Sequence, residues 1–282
     1  MLCDQAIAVV VPARNEQAHI QRVLRTMPTY VDHIIVVDDA STDATVARAA
    51  SHPDPRVTVV CHACCTGVGG ALATGYRLAF EQGAAVAGVM AGDGQMDPED
   101  LEPVLTPVLT GRAEYAKGNR LGHPQVARDM PPLRLLGNRI LSRMTRWATG
   151  LSIDDAQCGF TALSRRAYHT LDWARIWPGY GYPNDVLGWL SLAELLVEDV
   201  VVAPIYGQER SGVRLRHAVV IIPALLVRIA ARRLLASTRK VAWVRLKKRS
   251  GATRPDESQN LSRALEPSGD GQASPGTVRL NM

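Results

Sequence analysis

Val89-Met-Ala-Gly-Asp-Gly-Gln-Met-Asp-Pro98 is the stretch whose reading decides the fold. The apolar run Ala84–Met90 before and within it reads as a buried strand. That run stops at small, flexible residues, so Asp93, Gln95 and Asp97 fall at the carboxyl end of the strand. In open α/β sheets ligands bind at that edge. Oxygen ligands at i and i+2, on a loop opened by Gly92 and Gly94, suit a divalent cation carrying a phosphorylated substrate. Asp97-Pro-Glu-Asp100 also fits a solvated acidic turn that opens a helix. Taken alone, the stretch supports both readings.

Working outward, residues 6–11 (Ala-Ile-Ala-Val-Val-Val) form a β-branched run of the kind buried on both faces. Pro12-Ala-Arg-Asn15-Glu16 ends it, and His19–Met27 carries helical spacing. A second strand, His33–Val37, runs into Asp38-Asp39-Ala-Ser41-Thr-Asp43, where the Ser41/Thr42 region is expected to cap a helix to Ser51. The strand Arg56–Cys61 leads to Gly67-Val-Gly69-Gly70 and a helix to Gln82. Strand–helix repeats in this rhythm predict a mostly parallel sheet with helices on both sides. Further on, the pattern predicts a helix at Leu101–Leu109, a strand at Glu114–Lys117, a surface loop at Leu121–Pro132 and a helix at Leu133–Thr149. A short strand, a helix near Arg165–Leu171, a helix at Asn184–Leu196 and a strand at Val197–Pro204 follow.

The chain has 282 residues and a net charge of +5, unevenly placed. Residues 1–209 hold 17 Lys+Arg against 23 Asp+Glu, whereas residues 210–249 hold 12 Lys+Arg and no acid. A mildly acidic body with a basic, apolar extension points to a membrane surface rather than to nucleic acid. Ala218–Val227 is an apolar run broken by Pro223 and followed by Arg228, Arg232 and Arg233. It is too short and too charged to span, which takes about 20 apolar residues. The fitting alternatives are an interfacial helix with snorkelling arginines, or a helix packed on the body or in a homo-oligomer interface. The expected organisation is a catalytic-type α/β domain over 1–212, basic amphipathic helices over 213–249 and a disordered tail over 250–282. No leader is read at Met1–Gln5, and the odd set Cys3, Cys61, Cys64, Cys65 and Cys158 suits a reducing cytosol. Cys61-His-Ala-Cys64-Cys65 has no second ligand cluster, so strand-end packing is favoured over zinc.

Several groups carry candidate chemistry. The glycines at 67–70 lack the last glycine of a dinucleotide fingerprint, Leu72 standing there; they fit close backbone approach to a nucleotide or a neighbouring strand, or a tight strand-to-helix turn. Arg134, Asn138, Arg139, Arg143 and Arg146 share one helix, either as a solvated face or, after the strand-end Arg120, as an anion pocket. Trp173–Gly181 has the composition of a pocket wall or lid, and Tyr206–Gly212 that of a glycine-hinged loop.

Together the segments resemble the family 2 glycosyltransferases of the GT-A fold, in particular the dolichol-phosphate mannose synthase branch of polyprenyl-phosphate glycosyltransferases. The matching pieces are Pro12-Ala-Arg-Asn15-Glu16, Asp38-Asp39-Ala-Ser41-Thr-Asp43, Gly67-Val-Gly69, Gly92-Asp93-Gly-Gln95, Gly118-Asn-Arg120, Arg134 with Asn138, and Asp155-Ala-Gln157-Cys-Gly159-Phe160. They run in family order over residues 6–212. The resemblance implies that Pro12, Arg14, Glu16, Asp39, Gly67 and Gly69 line the nucleotide pocket. It implies that Asp93 and Gln95 hold Mg2+ or Mn2+, that Arg120, Arg134 and Asn138 grip the lipid phosphate, and that Asp155 and Gln157 lie beneath the sugar. The Glu209–Gly212 loop resembles a segment that closes over the site. One departure stands out: the family's first carboxylate, two residues before Asp93, is Ala91 here.

The implied activity is an inverting transfer of a sugar from a GDP-mannose- or UDP-glucose-type donor to a polyprenyl or dolichyl phosphate, by a peripheral protein on the cytoplasmic face of a membrane. Asp93, Asp155, Arg120 and Arg134 are the expected catalytic set. A phosphate acceptor needs no strong base, so positioning by Arg120 and Arg134 dominates. A hydroxyl acceptor would call on Asp155 as base. The remaining alternative is a degenerate member, disabled at Ala91, that binds nucleotide or lipid without turnover.

Overall fold

The computed structural model describes Leu2, residues 4–205 and residues 220–249, and in the last of these the side chains of residue 237 and residues 239–249 are not described. Seven strands form one sheet: β1 (Ile7–Ala13), β2 (His33–Asp38), β3 (Val57–Cys61), β4 (Val86–Val89), β5 (Tyr115–Asn119), β6 (Thr161–Ser164) and β7 (Val197–Val201). The order is β3-β2-β1-β4-β6-β5-β7. All pairings are parallel except those of β6, which runs antiparallel between β4 and β5. The expected mostly parallel sheet is therefore present.

The helices are α1 (Ile20–Arg25), α2 (Thr45–Ala50), α3 (Val68–Glu81), α4 (Leu101–Leu109), α5 (Val126–Asp129), α6 (Pro132–Thr149), α7 (Arg165–Thr170), α8 (Tyr182–Leu192) and α9 (Ile222–Arg249). Alternate residues of β1 divide between two cores: Ile7, Val9 and Val11 pack with Ile20, Leu24, Leu101 and Leu105, while Ala8 and Val10 pack with Leu72, Tyr76, Phe80 and Leu187. This two-sided burial explains why the strand reads as a continuous apolar run rather than an alternating one.

Local readings needed adjustment where side chains had other partners. Helix α2 starts at Thr45, whose amide is capped by Asp43 Oδ1 at 2.9 Å. Ser41, the expected cap, instead accepts from Asn15 N at 2.9 Å and donates to Asp38. The expected surface loop at 121–132 contains the short α5, and α8 begins two residues earlier than the periodicity predicts, with Pro183 in its first turn.

Pro223 does not break the apolar run after residue 218; it lies in the first turn of α9, where a missing N–H costs nothing. The early turns of α9 face the body. Ile222, Leu226 and Ile229 pack on Leu141 and Ala148 of α6. Arg228 Nη2 donates to the fully buried Asp185 Oδ1 at 2.8 Å, and Arg232 lies 4.7 Å from the Trp189 ring centroid. These arginines are turned inward. One compact unit runs over Met1–Ser237, and a second covers Thr238–Met282. The boundary read at 212/213, the loop Tyr206–Gly212 and the tail 250–282 lie outside the described residues. Among the described residues no helix is long and apolar enough to cross a membrane.

Helix α3 sits directly against β1 at Gly75, where an added Cβ would stand 2.2 Å from Val10 Cγ1. Overpacking such a contact costs about 1–3 kcal/mol. Gly75→Ala is therefore expected to lower unfolding stability by about that amount in a denaturant titration; an unchanged midpoint would contradict the contact.

Candidate active site

Because β6 is antiparallel, its N-terminal flank, Asp155–Phe160, reaches the same sheet edge as the carboxyl ends of β1, β2, β3, β4 and β5. One edge thus gathers nearly all the residues singled out from sequence. Its centre is the crevice between β1 and β4, where the strand order reverses.

The loops after β1 and β2 are knitted together. Asn15 Oδ1 accepts from Thr42 N at 2.8 Å, Glu16 N donates to Thr45 Oγ1 at 2.8 Å, and Gln17 N donates to Asp43 Oδ2 at 3.2 Å. Asn15 takes a left-handed conformation, φ 58°, to allow this, one that asparagine tolerates better than most residues. The arrangement fixes the backbone on either side of Arg14 and Glu16.

Asp39 organises the next loop. Its carboxylate accepts from Thr66 N at 2.7 Å, Thr66 Oγ1 at 2.9 Å, Gly67 N at 2.8 Å and Cys65 Sγ at 3.2 Å, and it meets His62 Nδ1 at 3.0 Å. Burial alone would raise its pKa, but the bonds from His62, Thr66, Cys65 and Gly67 hold it well below the usual carboxylate range. Arg14 Nη1 donates to Cys65 Sγ at 2.7 Å, so Arg14, Cys65 and Asp39 form one chain of contacts. His62 and Cys65, read from sequence as strand-end packing, are thus part of the hydrogen-bonded cluster around Asp39.

The glycines answer to a close neighbour. A Cβ on Gly67 would lie 2.5 Å from Pro178 O, and one on Gly69 would lie 2.6 Å from Trp177 O. Gly69 N donates to Pro178 O at 2.7 Å. The bare backbone of Gly67 and Gly69 therefore seats the Trp177–Gly179 segment, which Asp185 Oδ2 also holds by accepting from Trp177 N at 2.9 Å. Thr66, Gly67 and Gly69 amides are all engaged before any ligand arrives.

The Asp93 loop is tied to β1 by Gly92 N donating to Pro12 O at 3.0 Å, with Ala13 too close to admit a side chain at Gly92 without adjustment. Asp93 Oδ1 accepts from Gln95 N at 3.0 Å, and Arg22 Nη2 donates to Gly94 O at 3.3 Å. Asp97 caps the following turn through Glu99 N at 3.0 Å. Tyr180 marks the convergence: its phenol is pushed up first by partial burial and then by the carboxylates of Asp93 and Glu16. Among the described residues no group of three or more His, Cys, Asp or Glu side chains forms a metal cage.

At the end of β5, Arg120 Nε and Nη2 donate to Asp155 at 2.7 and 3.1 Å, a two-pronged pair, and Arg120 N adds a third bond at 3.2 Å. Asp155 is 0% exposed. Burial opposes its ionisation, yet Arg120 and Lys117 keep its pKa lowered. Lys117, also fully buried, donates to Cys158 O, and burial lowers its pKa. Sequence reading placed Lys117 at the end of a short strand and missed its burial, since a lysine in a short strand gives no sign of it. Asp185 gave no signal either, whereas Tyr180 lies in the Trp173–Gly181 segment whose composition had marked it.

On α6, Arg134 is half-buried, whereas Asn138 is turned inward with its amide 3.7 Å from Met130 Sδ. Ser142 Oγ accepts from Ala156 N at 2.9 Å and Thr145 Oγ1 donates to Asn184 Oδ1 at 2.7 Å, so the inner face of α6 holds the Asp155 loop. Gln157 Nε2 donates to Asn184 Oδ1 at 3.1 Å.

This sheet is that of the GT-A fold of glycosyltransferases. Residues 8–171 match the sequence profile of Glycosyl transferase family 2, and the chain belongs to that family. It is 31% identical over 185 residues to the UDP-N-acetylglucosamine–dolichyl-phosphate N-acetylglucosaminyltransferase of Methanococcus voltae, covering 60% of this chain and 74% of that one. It is 30% identical over 230 residues to the polyprenol monophosphomannose synthase of Mycolicibacterium smegmatis, covering 76% and 84% respectively. Among solved structures, the UDP complex of glucosyl-3-phosphoglycerate synthase from Mycobacterium tuberculosis superposes with a TM-score of 0.60 at 24% identity, covering 81% of each chain, a likeness of fold.

Asp199 supplies a pH test of this edge. Its Oδ2 accepts from Asp154 N at 2.6 Å, while its buried Oδ1 has no hydrogen-bond partner among the described residues. Burial first, then Asp154 and Asp155, raise its pKa from 3.8 to about 6. A carboxyl so raised binds its proton more tightly in the folded state, so its contribution falls as pH rises from about 4 to about 6 and is fully lost above. Asp199→Asn is expected to raise Tm more at pH 7 than at pH 4.5, measured against the parent at each pH. An equal change at both would contradict the assignment.

Proposed function

We propose that the chain is an inverting glycosyltransferase that moves a hexose from a nucleotide-diphosphate sugar to a polyprenyl phosphate at a membrane surface. The observation that carries this reading is the buried, two-pronged Asp155–Arg120 pair. It fixes the plane of a guanidinium at the sheet edge, a geometry suited to two oxygens of a phosphate as well as to a carboxylate. Arg134 and Asn138 on α6 complete the acceptor-phosphate group. The dolichyl-phosphate and polyprenol enzymes to which the chain is similar support that acceptor class.

On the donor side, Pro12, Arg14, Glu16 and Asp39 lie along the nucleotide pocket, with Gly67 and Gly69 seating the Trp177–Gly179 wall. The amides of Thr66 and Gly67 are already bonded to Asp39, so the diphosphate falls to the Asp93 loop. Asp93 and Gln95 fit a divalent cation that keeps most of its ligands from substrate phosphates and water, the habit of Mg2+. With Ala91 in place of a carboxylate, Asp93 is the principal carboxylate of the loop, and Asp97, one of whose oxygens caps the next turn, or a water supplies the missing ligand. Mn2+ accompanies UDP-glucose in the M. tuberculosis synthase. When bound, Mg2+ or Mn2+ would neutralise charge on the departing diphosphate.

Transfer in this scheme is a single displacement at the anomeric carbon by a phosphate oxygen that is ionised near neutral pH. Arg120 and Arg134 orient that oxygen, and Asp155 orients Arg120. A hydroxyl acceptor gains little support, because Asp155 is withdrawn from solvent and held by Arg120. Ala91 favours one other reading, a degenerate member that binds donor without turnover. Four free thiols among the described residues, three of them the exposed Cys61, Cys64 and Cys65, fit action on the cytoplasmic face of the membrane.

The test is release of nucleoside diphosphate from a panel of GDP- and UDP-hexoses with Mg2+ or Mn2+ and a short polyprenyl phosphate. Lipid-dependent release from one donor is expected, and binding without release under every condition would point to the degenerate reading or to a hydroxyl acceptor. Asp93→Ala is expected to lower kcat at least about 100-fold, in the range of losing one group that stabilises developing charge. Arg120→Lys is expected to raise the KM for lipid while leaving the donor KM within about twofold, since lysine keeps the charge but not the fork. Unchanged kinetics in either variant would refute that residue's role.

A further inference from the structure

The first turns of α9 are joined to the carboxyl edge of the sheet through one buried carboxylate. Asp185 lies in the first turn of α8, is 0% exposed, and divides its two oxygens between two segments. Oδ1 accepts from Arg228 Nη2 at 2.8 Å, with Arg232 Nη1 3.7 Å away, while Oδ2 accepts from Trp177 N at 2.9 Å. The contacts continue past Trp177: Pro178 O accepts from Gly69 N at 2.7 Å, and Gly67 N donates to Asp39 Oδ2 at 2.8 Å. Arg228 is thus linked to Asp39 by a series of short bonds. Packing fixes the same parts. A Cβ on Gly181 would lie 2.8 Å from Leu225 Cδ1, and one on Gly188 2.7 Å from Ile229 Cγ1, so α9 rests close against α8 and the residue before it. Tyr180 belongs to the segment held in this way. Partial burial first, then the carboxylates of Asp93 and Glu16, push its phenol pKa up, which sets Tyr180 beside the loops that the donor reading uses.

We propose that Asp185 and Arg228 are positioning residues for the nucleotide: their ion pair lets α9 hold residues 177–180 against Gly67 and Gly69, and nucleotide affinity depends on that hold without either side chain touching the nucleotide. The inference rests on the donor-pocket reading above. An ion pair is a poor choice if its only task is to fasten one helix to another, because apolar side chains of the same size usually do that at least as well. What the pair adds is direction. One rigid carboxylate serves Arg228 on one side and the Trp177 amide on the other in a single placement, so a shift of α9 moves the Trp177 backbone with it. That backbone is the surface on which Gly67 and Gly69 rest, and Gly67 N is one of the donors that fix Asp39. Coupling between two sites is reciprocal. A nucleotide that needs this wall in place must therefore steady the first turns of α9 when it binds.

The experiment measures UDP and GDP binding to the full chain by titration calorimetry in the presence of Mg2+, together with amide hydrogen exchange. Arg228→Met and Asp185→Asn are each expected to raise the Kd of the nucleotide that binds at least about fivefold, the lower end of a typical coupling between sites. The double variant is expected to bind no more weakly than the weaker single one, because both changes remove the same link. Arg228→Lys is expected to recover most of the loss, since Asp185 takes a single hydrogen bond from this arginine and a point charge can supply it. In the parent chain, saturating nucleotide is expected to slow exchange over residues 222–232, and Asp185→Asn to abolish that slowing, which a purely structural pair would not do. Unchanged Kd in the folded single variants, additive losses in the double variant, or no nucleotide-dependent protection of 222–232 in the parent would overturn the inference. The last result needs no variant, so it decides the matter even where Arg228→Met fails to fold. A parent chain that binds neither UDP nor GDP would sink the donor-pocket reading and this inference with it. Nucleotide binding with no effect on α9 would sink this inference alone.

Discussion

A sheet covered by helices on both faces can offer functional side chains only at its strand ends. Every other feature of this molecule follows from that constraint. Val9, Val10, Ile34, Ile35, Val36 and Ala87 are fully buried, so no reactive group can be placed along those strands. The loops at the carboxyl edge carry the chemistry instead, and the reversal of strand order between β1 and β4 opens the crevice they line. The antiparallel β6 adds what a purely parallel sheet would lack, since its entry loop brings Asp155 to the end of β5.

Polar groups at this edge are held chiefly by one another. Asp39 gathers the donors of residues 62–67, Asp155 fixes Arg120, and Asp185 ties the Trp177 segment to α9. Each carboxylate is buried or nearly so and each is paired, which is the condition for keeping a charge out of water. The result is a preorganised edge in which the loops are set before substrates arrive.

Much of this was legible in the sequence. The β-branched runs and their glycine and aspartate terminators located the strands, and the ordered motifs from Pro12 to Phe160 located the edge. What sequence could not show was partnership. Asp97 reads as a ligand or as a cap, and the 3.0 Å bond from Glu99 N shows that one of its oxygens caps the turn. Gly67 and Gly69 read as a nucleotide cradle or a close approach, and the Pro178 and Trp177 carbonyls account for both. Lys117 and Asp185 sit in segments whose periodicity gives no hint that a charged side chain is buried. Antiparallel insertion of β6 was equally invisible, because a four-residue strand such as Thr161–Ser164 carries no direction in its composition.

The account turns on the acceptor being a phosphate, met by an arginine that Asp155 has already oriented. The most direct measurement compares a polyprenyl phosphate with the corresponding free polyprenol as acceptor, under the same donor and metal, by following nucleoside diphosphate release. Release with the phosphate and none above background with the alcohol is the expected result. Faster release with the alcohol would contradict the account, because it would require a base that the buried, arginine-bound Asp155 does not provide.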